Sequence, residues 1–459
     1  MEKRRSKMKE KLLLFIICSG QFVVMLINSM ISMAYPEFLE EFNVNVSQLM
    51  WINVWYVLIF TVGMPLTGAV GDRLGHRRTF IGGMLIFSLS GVAQAFAWNF
   101  YSLLTFGLFE ALAAAFLIPS QMALIHTYFK DRLGWAFSMF GISSSIGAIL
   151  GPALGGLLIS TVDWRSMFWL VVIISLGILL LAIQEIPKDN LHRKHDSFNF
   201  IGSLLYIITF GAFQYWLKIS IDNGFLDIHS IVSLIITLTA IIVFFLYEKE
   251  RGNQIIPFSL FKNKAFTCFS VISLLIMTVV QGLFYLLPIY FSNVHLFTPS
   301  QTGMLLMIEA VIVTIFAAKI GKLVDKLSLI KATSIGLTIL ILGVFLLVNI
   351  NHGSLIIFII IPLVFLGFGQ LFSTPAMNKG ALKSIKNENL GIASGVYNTI
   401  RFSGGAFAAS IFGPFLQNNL NSKDVNQGFN SVFILMCVML IMAFIFIYLL
   451  RKNKEEHSC

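Results

Sequence analysis

Residues 68–78 read Gly68-Ala69-Val70-Gly71-Asp72-Arg73-Leu74-Gly75-His76-Arg77-Arg78, and residues 321–327 read Gly321-Lys322-Leu323-Val324-Asp325-Lys326-Leu327. Each stretch is a small-residue and charged punctuation mark directly after a long apolar run. A second pair, Gly151-Pro152 and Gly413-Pro414, lies inside apolar runs further along. Both pairs join apolar run n to run n+8. A chain built from two six-run halves with two further runs between them has this offset, and internal repeats of this kind are the sequence mark of many secondary transporters.

The runs between these marks are long enough to cross a bilayer, which takes about 20 apolar residues in a helix because every backbone polar group must be satisfied internally. They fall near 12–34, 49–70, 79–97, 101–125, 135–160 and 166–184, then 199–219 and 229–247. A last set lies near 265–291, 301–318, 331–349, 354–375, 391–416 and 429–450. Fourteen spans are predicted. The domain reading is an N-terminal six-helix bundle at 1–190, a two-helix insert at 191–252 and a C-terminal six-helix bundle at 253–459. The run Leu12 to Ala34 is too long for a signal-peptide core and reads as a retained helix.

Composition agrees. Apolar residues make up 57% of the 459 and charged residues only 12%, whereas a water-soluble surface calls for about 25% charged residues. The formal charge of +10 does not point to nucleic acid, because the basic residues cluster in the short segments between runs. With the N-terminus inside, nearly all of the 32 Lys and Arg fall on the cytoplasmic side. Only Arg165, Lys218 and Lys423 lie outside, and Arg401 lies within a helix. That asymmetry is the positive-inside pattern and predicts a multi-pass cell-membrane protein with both termini cytoplasmic. No zinc-spaced Cys/His set, phosphate-cradling glycine loop or nucleophile–base pair is present, so no metal, cofactor, nucleotide or enzyme activity is expected. Cys18, Cys268 and Cys437 sit in apolar runs and read as reduced, structural thiols.

At this point the residues resemble a known family. The 68–78 stretch resembles the signature between helices two and three of the major facilitator superfamily. Gly147-Ala148-Ile149-Leu150-Gly151-Pro152-Ala153-Leu154-Gly155-Gly156 resembles the fifth-helix motif of its antiporter branch. Asp163-Trp164-Arg165 with Phe168, and Gly391 through Arg401, are similar to the fourteen-helix drug:proton antiporters. The resemblance spans essentially the whole chain. It implies an all-α membrane protein of the major facilitator fold, two six-helix bundles plus two inserted helices, that exports lipophilic and cationic drugs against protons. Dyes, quaternary ammonium compounds and fluoroquinolones are the implied cargo, with the bilayer and protons as the other partners and a monomer as the expected state. Export of an endogenous metabolite or lipid, or a non-transporting sensor on the same fold, are the alternative readings.

The expected roles follow from residue type. Gly68, Asp72, Arg73, Gly75, Arg77 and Arg78, with Asp325 in the second half, form a candidate conformational latch around a tight turn; the arginines also serve as orientation signals. Gly147, Gly151, Pro152, Gly155 and Gly156 form a candidate antiporter helix, where small residues on one face let backbones approach closely, as plain tight packing also would. Asp163-Trp164-Arg165 reads as an interfacial anchor.

Glu110 and Glu309, each inside an apolar run, are the candidate proton carriers. A charge at the bilayer centre costs roughly 2.5–3.5 kcal/mol even on the lenient insertion scale, so an isolated carboxyl there favours its neutral form. A cation entering beside it then favours ionisation and expels the proton. Arg401 is a further candidate, for transport or for a structural ion pair with Glu309. Asn28, Asn53, Trp51, Tyr56, Phe109, Gln281 and Tyr285 complete the candidate substrate lining, since ring faces attract lipophilic cations. Two positions depart from the family pattern. Ile27 stands where the resemblance implies an acid, and Gly107 where it implies an arginine, with Glu110 in place of a glutamine. Glu110 is therefore expected to take over the proton site of the missing first-helix acid.

Overall fold

In the computed structural model the described residues are 2–129, 133–188, 199–249, 258–348, 350, 355–383, 385, 390–420 and 425–456. They form fourteen helices of twenty residues or more. These are α1 (Glu2–Met30), α2 (Trp51–Leu74), α3 (His76–Ala95), α4 (Phe100–Tyr128), α5 (Leu133–Thr161), α6 (Arg165–Glu185) and α7 (Phe200–Asn223). The rest are α8 (Ile228–Lys249), α9 (Lys264–Asn293), α10 (Pro299–Lys326), α11 (Leu329–Val348), α12 (Ile356–Leu382), α13 (Leu390–Leu420) and α14 (Val425–Glu456). Short helices Tyr35–Glu41 and Val46–Leu49 lie between α1 and α2. No strand occurs among the described residues.

Eleven segments of the described chain are long and apolar enough to cross a membrane. Of the remaining long helices, α3 opens on His76-Arg77-Arg78 and α13 carries Asn398, Arg401 and a dense set of small residues, while α2 begins within the apolar helical stretch Val46–Thr61. Many apolar side chains elsewhere point outward: Ile235, Ile236, Ile242 and Leu246 of α8 are all exposed, while Ser230, Ser233 and Thr237 of the same helix are buried. An apolar exterior over a small-residue packing face is what a lipid solvent selects.

The chain divides into two compact units. One comprises Met1–Val44, Trp55–Ile207 and Thr298–Met304; the other comprises Asn45–Val54, Ile208–Phe297 and Leu305–Cys459. In the first unit α5 lies against α1. A side chain on Gly147 would come within 2.5 Å of the Phe22 carbonyl oxygen, and one on Gly151 would overlap the Ser29 side chain. The Ser29 hydroxyl uses that proximity to donate to the Gly147 carbonyl at 3.2 Å. The opposite edge of α5 meets the first turn of α10, where Gly156 abuts Pro299 and Gly303 abuts Pro152.

The second unit repeats this scheme eight helices on. Helix α13 lies against α9, with a Gly404 side-chain position 2.8 Å from the Met277 Cβ. Its Gly413 meets Met50 at the start of α2, 2.5 Å from Cγ to where a Cβ would stand. The pairs α1–α5 and α9–α13, and the pairs α5–α10 and α13–α2, are thus related by the n+8 offset read in the sequence. Helix α5 runs unbroken through Pro152, and α13 through Pro414.

The turn after α2 is tighter than a motif-length loop. Gly68 through Leu74 are helical, and the reversal is made at Gly75 alone, with φ of 97°. That left-handed backbone is open to glycine and strained for other residues. The buried Cys18, Cys268 and Cys437 are free thiols.

Candidate functional site

Glu110 emerges on the inner side of the first unit because α4 turns Leu103, Glu110, Ala114 and Leu117 toward the core, at helical spacing. Its residue surface is 4% exposed. Gln94 Nε2, from α3, donates to Glu110 Oε2 at 2.7 Å, and the pair is buried. One turn back, the missing side chain of Gly107 leaves room beside Gln94, whose Oε1 is 3.9 Å from where a Cβ would stand. A neutral amide therefore sits beside the place where the resemblance implies an arginine. Ile27 is fully buried on α1.

The second unit has a parallel arrangement. Glu309, half-buried on α10, accepts a hydrogen bond from Gln370 Nε2 of α12. The sequence reading allowed Glu309 to pair with Arg401; among the described residues no ion pair joins them. Arg401 instead has an enclosed Nε without a hydrogen-bond partner and its guanidinium 5.6 Å from the Phe402 ring. Among the described residues neither acid forms an ion pair, and both accept a hydrogen bond from a glutamine. Gln94 and Gln370 were not singled out from the sequence, although an amide inside an apolar run is the available signal.

The candidate lining residues divide between the units. Asn28, Tyr56, Phe109 and Glu110 belong to the first; Trp51, Asn53, Gln281, Tyr285, Glu309 and Arg401 belong to the second. Asn28 is half-buried, Phe109 is exposed, and Tyr56 stacks on Phe60 at 6.1 Å. Gln281 Nε2 donates to the Tyr285 hydroxyl at 3.3 Å. The buried Asn53 donates to Met50 Sδ at 3.8 Å. Trp51 is already covered by a cation of the chain itself: Lys218 Nζ lies 5.6 Å from its ring centre and forms an ion pair of 2.8 Å with Asp222.

Of the proposed latch, the surroundings of Gly68 and the side chains of Asp72, Arg73 and Asp325 lie outside what is described. Arg77 is described and acts as a helix cap. Its Nε donates to the Ile186 carbonyl and its Nη2 to the Ile183 carbonyl, both at 2.7 Å. A cation there satisfies the carbonyls at the C-terminal end of α6 and complements its dipole. Arg78 is exposed.

The Asp163-Trp164-Arg165 segment, read as an interfacial anchor, is built around a buried tryptophan. Trp164 is only 2% exposed. Its indole N–H donates to Glu41 Oε2 at 2.5 Å, and its ring meets Phe38 edge-on at 5.0 Å. Arg165 Nη2 pairs with Glu41 Oε1 at 2.7 Å, and the guanidinium lies 4.1 Å over the Trp164 ring. The segment ties α6 to the short helix Tyr35–Glu41.

Comparison with known proteins gives one family. The model described as Major Facilitator Superfamily matches residues 17–409. The chain is 27% identical over 433 residues to the riboflavin transporter RibZ of Clostridioides difficile, covering 92% of this chain and 91% of that protein. It is 25% identical over 399 residues to the multidrug resistance protein Stp of Mycobacterium tuberculosis, covering 86% and 74%. Among solved structures, a peptide transporter POT in complex with sulfate superposes with a TM-score of 0.72 at 16% identity, over 96% of this chain and 94% of that one. At that identity the likeness speaks for the fold alone.

Proposed function

The chain belongs to the major facilitator superfamily, and from that premise we propose that it exports lipophilic cations across the cell membrane in exchange for protons, through fourteen spans with both termini cytoplasmic. The observation that carries this reading is the pair of acids held by amides, Glu110 by Gln94 and Glu309 by Gln370. A salt bridge to a fixed arginine would lock either carboxyl in its charged form. A glutamine donates to the carboxyl in either protonation state, so the acid stays free to release its proton when a cation approaches. Competition of this kind couples two ligands through one site. The multidrug resistance protein Stp supports the cargo class. Glu110 and Glu309 are the assigned proton carriers. Asn28, Tyr56, Phe109, Gln281 and Tyr285 are the assigned lining, and α5 with its Gly147, Gly151 and Gly155 face on α1 is the element proposed to slide between states. The test is uptake of ethidium into inverted vesicles under an imposed pH gradient with the membrane potential clamped. Uptake that collapses with the gradient supports exchange; uptake indifferent to it refutes exchange.

A second reading, transport of a small polar endogenous metabolite, rests on Arg401, whose guanidinium can donate hydrogen bonds to carbonyl or hydroxyl oxygens. Its guanidinium has no ion-pair partner among the described residues, and one relative is a riboflavin transporter. Binding of riboflavin to the purified protein that is lost in Arg401→Ala and kept in Glu110→Gln favours this reading over the first.

A further inference from the structure

A cavity of about 540 Å³ opens where the end of α3, the start of α4, the end of α5 and the start of α6 converge. Phe96, Trp98, Val162, Asp163, Arg165 and Trp169 are among its walls. The rings face outward: Phe96 is 64%, Trp98 73% and Trp169 39% exposed. Phe96 and Trp169 meet edge-to-face at 5.5 Å, which leaves ring face available to a guest.

Exposed rings at helix ends are common in membrane proteins, where they mark the headgroup layer. The charges set this cavity apart. Arg165 is fully engaged: Glu41 neutralises it at 2.7 Å, Trp164 stacks beneath it, and its Nη2 also donates to the Ala97 carbonyl at 3.3 Å. Asp163 is not neutralised. Its Oδ1 accepts the backbone N–H of Ser166 at 3.0 Å, and no cation pairs with it among the described residues. The cavity therefore combines aromatic faces with one uncompensated carboxylate, the chemistry that recognises a quaternary or tertiary ammonium. A phospholipid headgroup fits less well, because its phosphate needs a free cation and the cavity's arginine is already paired. From Trp169 an apolar stripe continues along α6 through Ile173, Leu176 and Leu180, all exposed. An alkyl tail has a path there within the lipid.

We propose that this cavity is a binding site for amphiphilic ammonium cations, with the head against Asp163 and the rings of Phe96, Trp98 and Trp169, and the tail along α6. It is separate from Glu110, which lies deeper on α4. It names a second site for the cation class of the proposed function and rests on that reading for its biological role. The test reads binding, whereas proton exchange reads the function, so the two fail separately.

The probe is dodecyltrimethylammonium carrying a diazirine beside its head, photolysed with the full-length protein in maltoside micelles and mapped by peptide mass spectrometry. Adducts are expected in Phe96–Trp98 and Val162–Trp169. They fall about tenfold in Asp163→Asn, the size of one lost charge contact of about 1.4 kcal/mol, and return in Asp163→Glu. Asparagine keeps the oxygen that caps Ser166, so the fold is retained, and Glu110→Gln leaves labelling unchanged. Equal labelling by a neutral dodecyl diazirine, or labelling indifferent to Asp163→Asn, overturns the proposal. Displacement of the probe by phosphatidylethanolamine as readily as by unlabelled dodecyltrimethylammonium makes this a lipid site and also overturns it.

Discussion

Replacing Gly147 with alanine inserts a methyl group where α5 meets α1, 2.5 Å from the Phe22 carbonyl oxygen and 3.1 Å from the Leu26 nitrogen and the Met25 Cβ. Close carbon–oxygen contacts in proteins lie at about 3.3 Å, so one helix must retreat by about 0.8 Å. All three neighbours are backbone or Cβ atoms, which no rotamer change can move. Retreat also strains the Ser29 bond to the Gly147 carbonyl, already 3.2 Å long. Overpacking of this kind costs about 1–3 kcal/mol. At about 2–4 °C per kcal/mol for a unit of this class, a mid-range penalty lowers the unfolding temperature by about 6 °C. Gly141, two turns earlier on the same helix, is the internal control: nothing lies within 4 Å of its Cβ position. There alanine relieves the glycine penalty of about 0.5–1 kcal/mol, and the midpoint rises slightly. Thermal unfolding of the two variants in detergent, followed by tryptophan fluorescence, decides the matter. Equal and opposite shifts are not required, but opposite signs are. A Gly147→Ala protein as stable as wild type would refute the claim that α5 and α1 touch through bare backbone.

Two further outcomes follow from the same coordinates. Glu41→Ala leaves the buried Trp164 indole N–H without its acceptor, a loss of about 1–3 kcal/mol, while the exposed Arg165 pair adds only about 0.2–1 kcal/mol. Glu41→Ala should therefore lower the unfolding temperature clearly more than Arg165→Ala does, in the same melting assay; the reverse order would mean the ion pair dominates. Between α7 and α8, the backbone N–H of His229 donates to Asp227 Oδ1 at 2.9 Å and, with the His229 ring, holds that exposed carboxyl below its ordinary range. A depressed carboxylate stabilises above its unfolded pKa and loses that contribution as pH falls through its folded value. Amide exchange in the first turn of α8, compared with Asp227→Ala, should thus show protection at neutral pH that disappears in acid, and the variant should lack the dependence.

How far the sequence leads is visible in particular residues. Hydropathy locates every long helix, including α2, α3 and α13. The n+8 offset in Gly151/Gly413 reappears as matched packing of α5 on α1 and α13 on α9, where glycines let the backbones approach closely. Partnerships across helices were beyond reach. Periodicity says that Glu110 is inward but not that α3 brings Gln94 to it, and it could not separate a Glu309–Arg401 pair from the Gln370 bond that forms. The sequence reads Trp164 as a headgroup anchor, but only the fold brings Glu41 to its N–H. The turn at Gly75 was legible in outline, but the helical state of Gly68 through Leu74 was not, as glycines there are compatible with either loop or helix.

The central claim is that Glu110 and Glu309 give up protons when a cation binds. The most direct measurement is proton release by the purified protein in weakly buffered detergent solution on addition of ethidium. Wild type is predicted to acidify the medium, with Glu110→Gln and Glu309→Gln each releasing fewer protons and the double variant none. Undiminished release from the double variant would contradict the account.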